Sequence, residues 1–226
     1  MHQYSNKTFI KEIFTSIQGE GLYVGEKQIF VRFCRCNLKC KYCDTNFKKD
    51  NAKEYSTNDL FNILKENPIT TVSFTGGEPL IEVDFLNDLL SNYNLNKNIY
   101  LETNGTCYKE LEKIIDKVDV VSMDIKLPSA TGQKNNFIEN EKFLSVANKK
   151  EVFIKAVFDE NITKEEINFC TDLGITTSIE LILQPKMIGD NMSVTSEFCE
   201  KILDKFTSKY SNTRLIPQVH KFLNIR

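Results

Sequence analysis

The sequence predicts an α/β fold, a shortened and partly open (β/α)6-type barrel that forms a single domain over residues 1–226. Three observations support this fold class. The chain has 226 residues, 41% of them hydrophobic and 27% charged, which suits one globular domain with a substantial core. Strand-like and helix-like segments alternate, as in βαβ units. Cysteines, glycines and prolines collect just past the predicted strand ends. An open doubly wound sheet is the alternative.

The elements follow from local patterns. Segments rich in Val, Ile and Phe predict strands, and apolar residues at helical spacing predict helices, the first of them capped by Ser56 or Thr57. A polar segment at 48–54 predicts a loop. The predicted strands are 28–34, 71–75, 98–103, 118–125, 151–158, 178–183 and 213–216. The predicted helices are 57–67, 83–93, 108–117, 139–150, 163–173 and 193–209.

The residues that stand out chemically lie where strands end. In parallel α/β folds the ligand site forms at the C-terminal strand ends. The sequence therefore places one site at this mouth. The residues concerned are the cysteine cluster, Gly76-Gly77, the segment 103–105, and Pro79, Pro128, Pro185 and Pro217.

Charge and hydropathy exclude several classes of protein. The net charge of −2 offers no basic footprint, which disfavours nucleic-acid binding. The N-terminus has no apolar stretch of the signal-peptide type, and no apolar run approaches membrane-spanning length. We expect a soluble, cytoplasmic protein with neither nucleic-acid nor membrane partners.

Four of the seven cysteines fall within ten residues, at positions 34, 36, 40 and 43. An odd total without a secretory signal indicates thiolate chemistry in a reducing compartment, and Cys107, Cys170 and Cys199 are interpreted as core residues. Three thiolates spaced C-x3-C-x2-C, from Cys36 to Cys43, can hold three irons of a cubane cluster and leave the fourth iron open. The alternative is structural zinc with Cys34 as fourth ligand, although Cys34 also fits a buried strand position.

The cysteine motif, with Tyr42 before its last cysteine, resembles the signature of the radical S-adenosylmethionine (SAM) superfamily. A second motif, Thr75-Gly76-Gly77-Glu78-Pro79, follows a predicted strand and resembles the GGEP motif of that superfamily. A lone GGEP is more often a tight turn, but its pairing with the cysteine motif is specific. The resemblance implies a [4Fe–4S] cluster and SAM as cofactors.

Both ends of the chain narrow the resemblance. Segments 12–21 and 218–226, with Arg32 and Asp44-Thr45, resemble the 7-carboxy-7-deazaguanine synthase family over almost the whole chain. That family converts 6-carboxy-5,6,7,8-tetrahydropterin into 7-carboxy-7-deazaguanine with loss of ammonia, toward queuosine and other 7-deazapurines. The resemblance implies Mg²⁺, a homodimer and an electron donor such as flavodoxin or ferredoxin. Alternatives are another radical SAM enzyme, such as a glycyl-radical activating enzyme, and a non-enzymatic zinc-binding module.

The resemblance also assigns site residues. A substrate-binding hairpin is expected at 9–27 and a substrate-binding tail at 214–226. The cluster ligands, which are also the catalytic residues, are Cys36, Cys40 and Cys43, and the Mg²⁺ ligand is Thr45. Cofactor contacts are Tyr42, Cys43, Asp44, Gly76, Gly77, Glu78, Asp124, Ile125, Lys126 and Gln184. Substrate contacts are Ile17, Gln18, Gly19, Glu20, Arg32, Thr75, His220 and Arg226.

Three positions depart from the family pattern. Arg35 stands where family members often have glycine, and Tyr42 where tryptophan is common. The segment Asp124-Ile125-Lys126 replaces the Ser-Pro-Lys of many members, which leaves the role of Asp124 open.

Overall fold

The computed structural model describes residues 6–41, 43 and 51–225, and these form one large sheet with helices packed on it. The strands are β1 (Lys7–Ile17), β2 (Lys27–Phe33), β3 (Lys53–Ser56), β4 (Thr71–Gly76), β5 (Asn98–Thr103), β6 (Val120–Ile125), β7 (Glu151–Phe158), β8 (Leu181–Pro185), β9 (Met187–Ile188), β10 (Asn191–Met192) and β11 (Thr213–Leu215). The helices are α1 (Thr57–Glu66), α2 (Val83–Asn92), α3 (Tyr108–Glu112), α4 (Pro128–Thr131), α5 (Phe137–Ala147), α6 (Lys164–Thr177), α7 (Ser196–Thr207) and α8 (Val219–Phe222). Single 3-10 turns lie at Gly21–Tyr23, Pro79–Glu82 and Ile115–Lys117.

The nine strands of the main sheet run in the order β11-β8-β7-β6-β5-β4-β2-β1-β3. Every neighbouring pair from β2 to β11 is parallel, whereas β1 pairs antiparallel with both β2 and β3. Within the described residues the two edge strands, β11 and β3, do not pair with each other, so the sheet stays open. The predicted α/β fold, a partly open barrel, is therefore confirmed.

The central strands are buried on both faces of the sheet. Helices pack against one face, and the other face lines the interior of the curved sheet. All six residues of β6 are buried, as expected for a strand in a parallel sheet. A second, smaller apolar cluster of Tyr100, Val120, Phe153 and Ile182 receives Leu22 and Tyr23 from the loop between β1 and β2. Gly21 makes this contact possible: its φ is +67°, and a Cβ there would lie 2.4 Å from the Phe153 ring.

Several sequence-based boundaries are corrected by the structure. The predicted loop at 48–54 overlaps β3, which pairs with β1 from Lys7 to Ile10. The helix predicted at 108–117 ends at Glu112 and is followed by a 3-10 turn, and α6 continues to Thr177. The predicted N-cap of α1 is Ser56, which forms a capping box with Asp59. No helix in the described part of the chain is long and apolar enough to cross a membrane.

Candidate active site

A cavity of about 390 Å³ lies at the C-terminal ends of the parallel strands, and a smaller pocket of about 140 Å³ adjoins it. The two share five lining residues, so they form one continuous site with two compartments. Here we name them the large cavity and the side pocket. The shared residues are Glu20, Arg32, Thr75, Glu102 and Gln218.

The three motif cysteines, Cys36, Cys40 and Cys43, all line the large cavity. Their loop leaves β2 and is tied down by Asn37, whose Nδ2 donates to Thr106 Oγ1 at 2.8 Å and whose Oδ1 accepts from Asn104 Nδ2 at 2.8 Å. The turn after β5 thus fixes the first half of the cysteine loop.

Burial raises the pKa of the Cys36 thiol and raises that of Cys40 to about 11. Nearby negative groups, among them Glu78 for Cys36 and Asp124 for Cys40, act in the same direction. These thiols therefore need a cationic partner to ionise at neutral pH, and binding of iron would displace their protons. The donor set fits an iron–sulfur cluster, because three thiols face one cavity large enough to hold it.

The zinc alternative fits this arrangement less well. Cys34, its only candidate for a fourth cysteine ligand on this loop, is 1% exposed and is not among the residues that line the cavity. Across residues 6–41, 43 and 51–225, no three His, Cys, Asp or Glu side chains are gathered around the position of a single metal ion. A cubane does not require that geometry, since each thiolate ligates a different iron.

Gly76 and Gly77 line the large cavity and also support the cysteine loop. A Cβ on Gly77 would lie 1.8 Å from the Arg35 carbonyl oxygen, and Gly76 has a φ of +114°. Gly77 N donates to Phe33 O at 3.1 Å, which holds the two backbones together. Only glycine permits this close approach of the motif to the start of the cysteine loop.

Glu78 and Ile125 do not line either compartment. Glu78 is fully buried, and its carboxylate accepts hydrogen bonds from Leu80 N (3.1 Å), Thr103 Oγ1 (2.8 Å) and Asn104 N (2.8 Å). Burial raises its pKa to about 7, although these hydrogen bonds lower it in part. Glu78 thereby joins the end of β4 to the end of β5, and Ile125 belongs to the apolar core.

Asp124, Lys126 and Gln184 also line the large cavity. Asp124 Oδ2 accepts from Lys126 Nζ at 2.6 Å and forms an ion pair with Lys155 Nζ at 3.5 Å. Asp124 Oδ1 and Gln184 Oε1 are buried and find no hydrogen-bond partner within the described part of the chain. These two oxygens are acceptors that a bound ligand can satisfy.

The predicted substrate residues gather around the side pocket. Seven of them line it, namely Ile17, Gln18, Gly19, Glu20, Arg32, Thr75 and His220. A Cβ on Gly19 would lie 2.3 Å from His220 Nδ1, so glycine lets this imidazole pack directly on the backbone. Tyr42, Asp44, Thr45 and Arg226 lie outside the described residues.

Sequence reasoning missed Glu102, which lines both compartments. Its Oε1 accepts from Gln18 Nε2 at 2.7 Å and its Oε2 accepts from Thr75 Oγ1 at 2.6 Å. The available signal was an acidic residue one position before the end of a predicted strand, a common location for ligand contacts.

A second missed residue is Lys155, a lysine within the otherwise apolar half of β7. Its side chain is 6% exposed, and its ammonium forms ion pairs with Glu20 and Asp124. Burial works against both charges, yet the attraction lowers the pKa of Glu20 to about 2 and raises the pKa of Lys155. A lone buried lysine in a strand is itself a signal, because such a charge needs partners.

Comparison with known proteins identifies the family of the chain. The radical SAM superfamily model matches residues 30–157. The chain is 32% identical to the 7-carboxy-7-deazaguanine synthase of Geobacter sulfurreducens over 240 aligned positions, covering 95% of this chain and 96% of the relative. It is 34% identical to the enzyme of the same name from Thermoplasma acidophilum over 215 positions, again covering 95% and 96%.

Two solved structures share the fold. QueE from Escherichia coli aligns with a TM-score of 0.65 at 22% identity and covers 95% of both chains. Streptococcus suis SuiB bound to S-adenosylmethionine aligns with a TM-score of 0.58 at 20% identity, covering 84% of this chain and 46% of the other. With relatives above 30% identity along nearly the whole length, the chain belongs to the 7-carboxy-7-deazaguanine synthase family of the radical SAM superfamily.

Proposed function

We propose that this chain converts 6-carboxy-5,6,7,8-tetrahydropterin into 7-carboxy-7-deazaguanine with loss of ammonia, as a radical SAM lyase of queuosine and 7-deazapurine biosynthesis. One observation carries the proposal. The cysteine loop faces the large cavity, the pterin-binding positions face the side pocket, and five residues border both. A cofactor and a small substrate can therefore meet without a change of fold.

In the large cavity, Cys36, Cys40 and Cys43 would hold a [4Fe–4S] cluster, and Gly77 with the acceptors Asp124 and Gln184 would contact SAM. Bound there, cluster and SAM supply the abstraction of a hydrogen atom from the substrate. The protein holds the two reactants in place and shields them from side reactions.

In the side pocket the polar groups suit a pterin. Arg32 offers a guanidinium fork for a carboxylate, and it is steadied by Glu12 at 3.6 Å and by the ring of Phe14. Gln18, Glu20 and Glu102 present the mixed donors and acceptors that the amide and amine edges of a pterin require. The carboxylate would then lie toward Arg32, with an edge of the ring toward the hydrogen-bonded pair of Gln18 and Glu102.

The remaining parts of the proposal draw on the family. Thr45 would contribute one ligand to Mg²⁺, which keeps several waters and binds the substrate carboxylate. Arg226 would contact the substrate. The active form would be a homodimer that receives its electron from a flavodoxin or ferredoxin, and the cytoplasmic location stays a prediction.

The test is anaerobic reconstitution with iron and sulfide, followed by incubation with SAM, a reductant, Mg²⁺ and 6-carboxy-5,6,7,8-tetrahydropterin. We expect mass spectrometry to detect 7-carboxy-7-deazaguanine, and we expect Cys40→Ala to abolish it together with cluster absorbance. The matched control is Cys199→Ala, a cysteine buried in the core away from both compartments, which should retain the cluster and the product.

Two results would contradict the proposal. A cluster that yields 5′-deoxyadenosine but no deazaguanine product would keep the superfamily and discard this substrate. Stoichiometric zinc without sulfide would discard both, because the three cysteines would then form a structural site.

A further inference from the structure

We propose that Lys155 is a positioning residue for the substrate compartment: its buried ammonium fixes the Glu20 carboxylate, which in turn holds the C-terminal segment, residues 218–225, against the side pocket. The inference rests on the proposed function for the identity of the substrate. The contacts from Lys155 through Glu20 to the C-terminal segment do not depend on which substrate binds. They connect three elements that are far apart in sequence.

The first step is the burial of Lys155. Its side chain rises from β7 into the large cavity and is 6% exposed, and a buried ammonium is costly unless carboxylates surround it. Two carboxylates surround the Lys155 ammonium. Glu20 lies at the boundary with the side pocket, and Asp124 lies on the side proposed for the cofactor. Lys155 is therefore the cation that connects the two ends of the site.

The second step is the dependence of Glu20 on this cation. Asp124 has another cationic partner in Lys126 at 2.6 Å, closer than the 3.5 Å that separates Asp124 from Lys155. Lys155 is the only Lys or Arg that forms an ion pair with Glu20 among the pairs of the described chain. Loss of the Lys155 charge should thus disturb Glu20 more than Asp124.

The third step leads from Glu20 to the C-terminal segment. Gln218 Nε2 donates to Glu20 Oε1, while Glu20 Oε2 faces Lys155. One residue on, Val219 N donates to Gly19 O at 2.9 Å, and His220 packs on Gly19. Farther along, Phe222 and Leu223 are each 54% exposed, so little core packing holds this end of the chain. The contacts with Gly19 and Glu20 hold the start of the segment against the side pocket.

The experiment compares Lys155→Met with Lys126→Met, which removes the other lysine that contacts Asp124. Amide hydrogen exchange of residues 218–225 is measured on the reconstituted enzyme without substrate, and Kd values for SAM and 6-carboxy-5,6,7,8-tetrahydropterin are measured by calorimetry. For Lys155→Met we expect exchange at Val219 and the pterin Kd to rise about tenfold or more, as when a charged hydrogen bond is lost, with little change in the SAM Kd.

Lys126→Met should leave hydrogen exchange in the C-terminal segment unchanged and should instead raise the Kd for SAM. Unaltered exchange in Lys155→Met, or equal loosening by Lys126→Met, would overturn the positioning role. Should Lys155→Met fail to fold, Lys155→Gln takes its place, because the shorter, neutral glutamine removes the charge and keeps an N–H donor. A wild-type enzyme that does not bind the pterin would end the proposed function, while the exchange result alone would still decide the role of Lys155.

A double-mutant cycle supplies a readout that general destabilisation would not move. If Lys155 acts through Glu20 and Gln218, Gln218→Ala should loosen the segment by a similar factor, and adding Lys155→Met should add little further. Additive effects of the two substitutions on exchange at Val219 would contradict the proposed connection.

Discussion

Thr75 Oγ1 donates a 2.6 Å hydrogen bond to Glu102 Oε2, across the neighbouring strands β4 and β5. The other oxygen of the same carboxylate accepts from Gln18 Nε2, so Glu102 contacts two of the residues that are proposed to bind the pterin. These two hydrogen bonds join the side chains of Gln18, Thr75 and Glu102, which come from separate elements and line the side pocket together.

Glu102→Ala should therefore weaken the binding of the substrate more than the binding of the cofactor. Losing the carboxylate leaves Gln18 and Thr75 without their shared acceptor, and we expect the pterin Kd to rise about tenfold or more. Steady-state kinetics and calorimetry measure this effect. The control is Glu160→Ala, an exposed glutamate beyond the end of β7, which should leave both affinities unchanged. An unchanged pterin Kd in Glu102→Ala would argue against the assignment of the side pocket.

Gly77→Ala tests the contact between the glycine motif and the cysteine loop. The new methyl group would overlap the Arg35 carbonyl, so the loop must shift, and we expect iron and sulfide content after reconstitution to fall severalfold. Gly25→Ala is the matched control, since its Cβ would meet no atom within 4 Å although its φ of +94° is strained. If Gly77→Ala binds a full cluster, the loop is more adaptable than this packing indicates.

The fold could be predicted from sequence because the central parallel strands carry apolar runs and the helices α1, α2 and α7 have apolar residues at amphipathic spacing. Strand β1 was expected only as part of the hairpin at 9–27, and the other elements that were missed are short or polar. Strand β3 forms on a polar segment because β1 offers it an edge from Lys7 to Ile10, and α8 has four residues. Such elements depend on tertiary contacts, which no local periodicity records.

The site residues also divide into those that local sequence patterns predict and those that depend on tertiary contacts. Spacing identified the cysteines and glycines, since their backbone and ligand requirements are local. Glu102 and Lys155 have no motif of their own and become site residues through partners such as Thr75 and Glu20, far away in sequence. The carboxylate of Glu78 accepts from backbone and hydroxyl donors, and its contact with the cofactor stays a prediction.

Removal of Mg²⁺ should reduce turnover about tenfold or more while leaving cluster content and SAM binding intact, because the metal is assigned to the substrate carboxylate. Product formation is measured after chelation and after addition of Mg²⁺ or a larger divalent cation. Thr45→Ala should raise the Mg²⁺ concentration needed for half-maximal rate. Thr45→Ser keeps the hydroxyl and should need the same Mg²⁺ concentration as the wild type. Full activity in a metal-depleted assay would rule out this role.

Glu78 should make the stability of the metal-free chain depend on pH. Its folded pKa of about 7 exceeds the ordinary value of 4.5, so the folded chain holds this proton more tightly than the unfolded chain does. The contribution to the free energy of unfolding is complete below pH 4.5 and is lost as the pH rises through 7. The loss amounts to on the order of 3 kcal/mol, at about 1.4 kcal/mol per pKa unit.

Glu78→Gln isolates this contribution, because glutamine cannot ionise and other titrating groups are common to both chains. Denaturant titrations from pH 5 to 8 should show the stability of the wild type falling relative to the variant. Any constant cost of losing the hydrogen bond from Asn104 N does not affect the slope. Glu160→Gln, which removes the same charge from the surface, should run parallel to the wild type. Parallel curves for Glu78→Gln would mean that burial does not raise the pKa of the Glu78 carboxyl above its ordinary value.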